Sequence, residues 1–194
     1  MIDEYTTISA MAEGFYSEKR SRFLAFAHHV ETVDDVKTLV DGYRKRYYDA
    51  RHVCYAYMLG PARDNFRAND DGEPSSTAGK PILGQINSLG LTDILIVVVR
   101  YYGGVNLGTG GLIVAYRQAA ADALAHAETE QRQVEEKVDY DFPYTMMNDV
   151  MRVVKEVQPR IVSQTFENTC HICLAIRRSE AARLRRRLEQ LSFA

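Results

Sequence analysis

Hydrophobic and polar residues alternate from Arg22 to Val30, and this period of two predicts a half-buried β-strand. The period then lengthens to that of a helix, with Thr32 in position to cap the first turn. The apolar positions of this helix are Val33, Val36, Val40, Tyr43 and Tyr47. The aromatic and β-branched stretch His52–Leu59 ends at a Gly-Pro pair and predicts a second strand.

The polar stretch Ala62–Lys80 has no apolar period and predicts a long loop, of the kind that is usually functional or mobile. Pro81–Gly90 predicts a short helix. Ile94–Val99 is apolar on both alternating faces, as in a central strand that is covered on both sides. After several glycines, an alanine-rich helix is predicted. Its apolar stripe is Leu112, Ala115, Tyr116, Ala119, Ala123 and Leu124.

The stretch Glu128–Lys137 lacks a core-forming pattern and marks the predicted boundary between two domains, residues 1–130 and 136–194. Beyond it the pattern is strand, helix, strand, strand, helix. The predicted strands are Val138–Tyr144, Ile161–Phe166 and Cys170–Ile176, and the helices are Met146–Val157 and one striped by Ala181, Leu184, Leu188 and Leu191. This order resembles a ferredoxin-like module, so the predicted fold class is α+β.

Composition supports a folded protein: 46% of the 194 residues are hydrophobic and 26% are charged. The longest aliphatic run is far shorter than the roughly 20 residues that span a bilayer. Acidic residues follow Met1, where a secretory signal needs basic ones. We therefore expect a cytoplasmic protein without a transmembrane helix.

The three cysteines, Cys54, Cys170 and Cys173, form a sparse and odd set that fits a reducing compartment. Cys170 and Cys173 fall in a predicted strand, where an offset of three places the two thiols on opposite faces. No second such pair exists to complete a four-ligand zinc site. We expect no metal and no other cofactor.

The loop Asp70–Lys80 combines carboxylates, hydroxyls, a lysine and glycines, as phosphate-binding loops do. It is not a Walker loop, because Pro74 stands where that motif needs its first glycine. The hydroxyls of Ser75–Thr77 would act as nucleophiles only beside a base, for which His52 is the nearest candidate. The alternative is a binding or purely structural loop.

Five glycines lie between Arg100 and Gly111, where a predicted strand passes into a helix. Glycine permits positive φ and a close ligand approach, so consecutive amides at a helix start can hold an anion. The dinucleotide pattern GxGxxG fails at Ile113, so no nicotinamide cofactor is indicated.

Arg100 has two interpretations that the residues alone leave open. It could bind a phosphate or carboxylate of a ligand, while Tyr101 or Tyr102 stacks on a base. Alternatively, Arg100 pairs with a loop carboxylate, and the glycines only form the turn. The candidate carboxylates are Asp70, Asp71 and Glu73.

An arginine-rich stretch near the end of the chain is a candidate nucleic-acid contact. Its arginines are Arg177, Arg178, Arg183, Arg185, Arg186 and Arg187, and Glu180 is the one acid among them. The net charge of the whole chain is −2, so this patch is local. The alternative is a solvated helix face.

Three blocks of the chain stand out: His52-x-Cys-Tyr-Ala-Tyr57, Asp71-Gly-Glu-Pro-Ser-Ser-Thr-Ala-Gly-Lys-Pro81 and Val99-Arg-Tyr-Tyr-Gly-Gly-x-x-Leu-Gly-Thr-Gly-Gly-Leu-x-x-Ala-Tyr116. Taken in order, these blocks strongly resemble the YigZ/IMPACT family. The resemblance implies a first domain similar to the second domain of a small-subunit ribosomal protein. It also implies a second domain similar to a ferredoxin-like domain of elongation factor G.

The same blocks contain the residues that we predict to bind a ligand. They are His52, Asp71, Glu73, Ser75, Thr77, Lys80, Arg100, Tyr101, Gly103, Gly104, Gly108, Gly110 and Gly111. The resemblance implies no catalytic residue. Ser76 stands where the family usually has glycine, and Val114 where bacterial relatives often have a basic residue. The second departure removes one possible phosphate contact.

The resemblance also implies a function. Eukaryotic relatives regulate translation under amino-acid starvation through a ribosome-associated partner, and bacterial relatives are thought to bind nucleic acid. Our leading hypothesis is a non-enzymatic binding protein that engages RNA, the ribosome or a translation-linked protein. The alternative is an enzyme or small-anion binder in which Arg100 and the glycine amides hold a phosphate or carboxylate while the loop Ser75–Thr77 closes.

Overall fold

The computed structural model describes residues 2–192. These residues divide into two compact units, one of residues 5–132 and one that combines residues 2–4 with residues 133–192. Both units mix helices with antiparallel strands, so the predicted α+β class is confirmed. None of the described helices is long and apolar enough to cross a membrane.

The first unit is built on a five-stranded antiparallel sheet. Its strands and helices are β1 (Glu4–Ile8), β2 (Ala12–Glu18), β3 (Ser21–His29), α1 (Val33–Arg46), β4 (His52–Leu59), β5 (Asn65–Asn69), α2 (Gly79–Ser88), β6 (Ile94–Tyr101), α3 (Gly108–His126) and β7 (Thr129–Gln133). The strand order is β2-β3-β6-β4-β5, and β1 pairs with β7 in a separate two-stranded sheet.

Strand β6 is the central strand, as its apolar sequence predicts. Ile96 and Val98 belong to the core on the face covered by α2 and α3. Leu95, Val97 and Val99 belong to the opposite core, which α1 covers. Since both faces of β6 are buried, the next residue along the strand, Arg100, is held in the interior at the end of the sheet.

The start of α1 is set by a reciprocal cap, which confirms the role predicted for Thr32. The amide of Asp35 donates to the Thr32 hydroxyl at 3.1 Å, and the amide of Thr32 donates to the Asp35 carboxylate at 3.0 Å. These bonds satisfy amides that have no partner within the helix.

The predicted loop Ala62–Lys80 is wrong in part, because strand β5 lies within it. β5 is one of the two edge strands of the sheet and its side chains are mostly exposed, so it lacks the apolar alternation from which a strand is predicted. The polar stretch Glu128–Lys137 likewise contains β7 and the start of a further strand.

The second unit has the predicted order of strand, helix, strand, strand, helix. Its elements are β8 (Glu135–Pro143), a 3-10 turn (Tyr144–Met146), α4 (Met147–Val157), β9 (Arg160–Phe166), β10 (Thr169–Arg177) and α5 (Arg178–Leu191). The strands pair antiparallel in the order β8-β10-β9, and the predicted hairpin of β9 and β10 is confirmed. The core of this unit includes Phe142, Val150, Leu174 and Leu184.

Candidate functional site

The segment after β5 is an ordered turn organised by Asp70. One carboxylate oxygen of Asp70 accepts hydrogen bonds from the amides of Ala78 and Gly79, at 3.1 and 2.8 Å. The other oxygen accepts from the amide of Ser76 at 2.9 Å. Because α2 has no side-chain cap of its own, Asp70 supplies the acceptor that its first amides need.

Asp71, the next residue, positions His52. The carbonyl oxygen of Asp71 accepts a hydrogen bond from Nδ1 of His52 at 2.7 Å, and its carboxylate accepts one from the amide of Val53 at 2.7 Å. A carbonyl oxygen can only accept, so Nδ1 carries a proton. Nε2 is therefore the ring nitrogen left for a ligand, and it lies 3.7 Å from Oε1 of Glu73.

Glu73 and Arg100 form a buried ion pair, with side chains that are 3% and 6% exposed. Nη1 of Arg100 donates to Oε1 of Glu73 at 2.5 Å, and the hydroxyl of Tyr116 donates to the same oxygen at 2.7 Å. Burial raises the pKa of Tyr116, which keeps the phenol protonated as a donor. Of the three carboxylates considered for Arg100, the structure selects Glu73 rather than Asp70 or Asp71.

The guanidinium group of Arg100 includes a buried donor that the described residues do not use. Its Nε is buried and has no hydrogen-bond partner in residues 2–192. The group lies 5.5 Å from the ring centroid of Phe23 and 5.7 Å from that of Tyr102, so aromatic faces cover part of it. An unpaired buried donor is uncommon and calls for an explanation.

The hydroxyls of the loop Ser75–Thr77 do not form a nucleophile with His52. Thr77 is buried, and its hydroxyl donates to the carbonyl of Pro74 at 2.6 Å. Within the described part of the chain, no hydrogen bond joins His52 to Ser75, Ser76 or Thr77. The structure thus favours the binding or structural alternative for this loop.

The glycine-rich turn leads from β6 into α3 through one close backbone approach, at Gly103, and one positive φ, at Gly108. A Cβ at Gly103 would lie 2.2 Å from the backbone carbon of Arg20 and 2.3 Å from the nitrogen of Ser21. Gly108, at φ +73, begins α3, and Leu107 before it offers no side-chain cap. The first amides of α3 are therefore not capped by a side chain at their N-cap position.

These elements surround a cavity of about 480 Å³. Its lining residues are Arg51, His52, Gly72, Glu73, Pro74, Arg100, Tyr102, Asn106, Leu107, Gly108, Thr109 and Leu112. The lining carries two guanidinium groups, one imidazole and one carboxylate, with the start of α3 at its side. Such a set of groups suits an anion better than a cation.

The structure brings only some of the predicted residues to this cavity. His52, Glu73, Arg100 and Gly108 line it, whereas Asp71 and Thr77 hold the loop. The remaining predicted residues lie outside its lining: Ser75, Lys80, Tyr101, Gly103, Gly104, Gly110 and Gly111. The sequence pattern did not indicate Arg51 or Thr109 as site residues, and it indicated Tyr116 only as a core residue. A signal for Tyr116 was its position at the end of the third family block.

Basic and aromatic residues lie around the end of the sheet near the cavity, and we call this set the Arg–Tyr face. It consists of Lys19, Arg20, Arg22, Arg51, Tyr101 and Tyr102. Arg51 and Tyr102 line the cavity, whereas Tyr101 packs against the core that α1 covers. Arg22 stacks over Tyr101 at 4.9 Å and Arg51 lies 5.9 Å from the Tyr102 ring. Its four cations are exposed and form no ion pair with any residue of the described range, although the Tyr101 hydroxyl donates to Asp49 at 2.8 Å.

The arginines at the end of β10 and in α5 are placed differently, because carboxylates of the same unit neutralise most of them. Arg177 pairs with Asp3 and Glu4, Arg185 with Glu136, and Arg187 with Glu156. Arg183 pairs with Glu180 at 3.3 Å, and Arg178 donates to the carbonyl of Ile2 at 3.4 Å. For Arg186 no ion pair is found within residues 2–192. This surface therefore offers less unbalanced charge than its sequence indicates.

All three cysteines are buried and free, and Cys170 faces the core of its unit while Cys173 does not. Burial raises the pKa of Cys54, and the hydrogen bond to Asp139 with burial raises that of Cys173. The thiolate is the reactive form. We therefore expect no thiol to react rapidly with Ellman's reagent at pH 8 in the folded protein, and all three to react after denaturation in guanidinium. A rapid reaction of the native protein would contradict this burial.

The fold and the site define a class of α+β protein with an open, positively charged cavity. A glycine-rich turn and a buried arginine–glutamate pair lie at the border of this cavity. Residues 19–124 match the Impact N-terminal domain family. An IMPACT family member of Haemophilus influenzae is 36% identical over 160 residues, which cover 81% of this chain and 78% of the relative. The IMPACT family member YigZ of Escherichia coli is 32% identical over 176 residues, covering 90% and 86%.

This chain belongs to the IMPACT family. Among solved structures, the crystal structure of a hypothetical protein superposes with a TM-score of 0.79 at 29% sequence identity. The superposition covers 99% of this chain and 94% of the other. The resemblance inferred from the three sequence blocks is thus confirmed.

Proposed function

We propose that this protein is a translation-linked RNA-binding protein that contacts RNA phosphates through the Arg–Tyr face. Membership of the IMPACT family supports the link to translation. The observation that carries the proposal is the absence of carboxylate partners, in residues 2–192, for Lys19, Arg20, Arg22 and Arg51. When unpaired cations of a protein bind phosphates, they displace the counterions condensed on the nucleic acid. This release supplies most of the non-specific affinity for nucleic acid.

The aromatic residues of the Arg–Tyr face favour RNA as its ligand over a simple anionic surface. Tyr102 is 44% exposed beside Arg51, and Tyr101 lies beneath Arg22. Single-stranded RNA presents unstacked bases, and these stack on tyrosine rings and guanidinium planes. The neighbouring cations would hold the phosphates of the same strand.

The arginines of α5 are the less favourable contact for RNA. RNA phosphates would have to displace Glu136 from Arg185 and Glu156 from Arg187, so part of the gain in binding is lost. We therefore assign the main contact to the first unit. The roles of Arg177, Arg178, Arg183, Arg185, Arg186 and Arg187 remain predictions, and the α5 double variant described below tests those of Arg185 and Arg187.

Replacing both Arg22 and Arg51 with alanine should weaken the binding of a fluorescent single-stranded RNA to the full chain. Each lost phosphate contact reduces the slope of log K against log salt by about 0.7 for a single strand. The double variant should therefore have a slope smaller by about 1.4. Fluorescence anisotropy at several salt concentrations measures both quantities.

The matched control is the double variant Arg185→Ala and Arg187→Ala, which removes the same charge from α5. We expect it to bind almost as well as the natural protein. A greater loss of affinity in the α5 variant than in the Arg22/Arg51 variant would overturn the assignment to the Arg–Tyr face.

A crosslinked pull-down from lysate, with and without ribonuclease, distinguishes RNA from a protein partner. Recovery of translation components that ribonuclease abolishes would support the proposal. Recovery that survives ribonuclease and depends equally on Arg22 and Arg51 would indicate that this face binds a protein instead, and would overturn it.

A further inference from the structure

The cavity beside the Arg–Tyr face contains groups that a surface contact with RNA does not use. Arg100 lines it, yet the Arg100 side chain is only 6% exposed and its Nε has no partner in the described residues. Glu73 and aromatic rings hold this guanidinium group in place, so its position is fixed before any ligand arrives.

The start of α3 supplies a second and independent group of donors. Gly108 and Thr109 line the cavity, and no side chain caps the helix at Leu107. Free amides and the helix dipole attract an anion at such a position. The helix is 19 residues long, so its dipole is fully developed.

The charged groups of the cavity favour the binding of an anion even though they include the carboxylate of Glu73. Glu73 repels an anion, but its Oε1 is already engaged by Arg100 and Tyr116. Arg51 has no carboxylate partner in residues 2–192, so the two guanidinium groups outweigh the one carboxylate.

We propose that this cavity binds a terminal phosphate monoester, either at an RNA end or on a free nucleotide. A monoester carries a charge of about −1.5 to −2 at pH 7, which matches two cations and a helix start better than the single charge of a diester. A monoester also has only one esterified oxygen, so the rest of the ligand extends out of the cavity in a single direction. An internal phosphodiester would need two routes past the recessed Arg100.

For RNA ends the inference rests on the proposed function, because the Arg–Tyr face would bind the strand that the terminal phosphate anchors. A free nucleotide would need no such face. The two sources share the same chemistry, so the experiment must treat them separately.

The test compares RNAs of one sequence that carry a 5′-phosphate, a 3′-phosphate or only hydroxyl ends. We expect at least one phosphorylated end to bind the full chain ten times more tightly or better. Thr109→Glu should remove this preference, because its carboxylate would occupy the start of α3 while remaining favourable for the helix. Gln118→Glu is the control: it adds the same charge to an exposed position on α3 that does not line the cavity.

The nucleotide arm measures the rise in melting temperature caused by AMP relative to adenosine. A rise with AMP that Thr109→Glu abolishes would support the cavity even if no RNA binds, in which case the proposed function alone fails. Equal binding of all three RNAs, together with no effect of AMP, would overturn the inference. If that RNA binding still depended on Arg22 and Arg51, the proposed function would stand.

Discussion

Replacing Glu73 with leucine should destabilise the first unit by about 3–5 kcal/mol, because it leaves the guanidinium group of Arg100 buried without its carboxylate. Tyr116 would lose the acceptor of its hydroxyl at the same time. For a chain of this size the loss corresponds to a fall in melting temperature of roughly 10 °C. Circular dichroism or calorimetry would measure it.

A double variant separates the ion pair from the general effect of changing a buried residue. If uncompensated charge is the cause, Glu73→Leu combined with Arg100→Met should be more stable than Glu73→Leu alone, since apolar residues often replace a buried pair well. Arg152→Ala is the exposed control, because it removes the surface pair with Asp149 and should cost less than about 1 kcal/mol. If the stability lost in the double variant equals the sum of the losses in Glu73→Leu and Arg100→Met alone, the two residues are not coupled.

Replacing Gly103 with alanine should destabilise the protein by about 3 kcal/mol, at the upper end of what overpacking costs. The new methyl group would stand 2.2 and 2.3 Å from backbone atoms of Arg20 and Ser21, which cannot turn away as a side chain can. The turn that carries Lys19 and Arg20 would be pushed from its place, so RNA affinity should fall as well.

Gly84→Ala is the matched control for this variant. Gly84 lies within α2, and a Cβ there would meet nothing within 4 Å. Because alanine restricts the unfolded chain, this change should stabilise the protein by about 0.5–1 kcal/mol. Thermal melts of both variants test the pair, and a melting point of Gly103→Ala within 2 °C of the natural protein would contradict the close approach.

The stabilising role of Glu73 connects the fold with the candidate site. Glu73 balances the charge of Arg100 and holds its guanidinium group in place, and its own charge also limits how strongly the cavity attracts anions. A variant of Glu73 therefore changes both stability and binding, which is why Thr109 is the better position for a binding test. Exposed Thr109 lines the cavity without supporting the core.

The glycine-rich turn shows how much about a functional site can be predicted from residue type alone. The sequence placed five glycines between a strand and a helix, and an anion site at the helix start was a reasonable prediction. The structure gives these glycines different tasks. Gly103 permits a backbone contact, whereas Gly108 begins α3 at a positive φ and lines the cavity.

The sequence by itself determined the elements whose hydrophobic pattern is local. The cap at Thr32, the doubly buried strand β6 and the hairpin of β9 and β10 follow from periods of two or about 3.6 residues and from capping chemistry. The family blocks also contain most of the residues that line the candidate cavity. Strand β5 was missed, because its mostly exposed side chains have little apolar alternation.

Only the tertiary structure decided which charges meet. Glu73, rather than Asp70 or Asp71, reaches Arg100 across 27 positions of the chain. Folding neutralises most arginines of α5 and leaves those of the Arg–Tyr face without carboxylate partners in residues 2–192. The physical reason is that hydrophobic periodicity is a property of neighbouring residues, whereas an ion pair depends on distances that the packing of the sheet and helices sets.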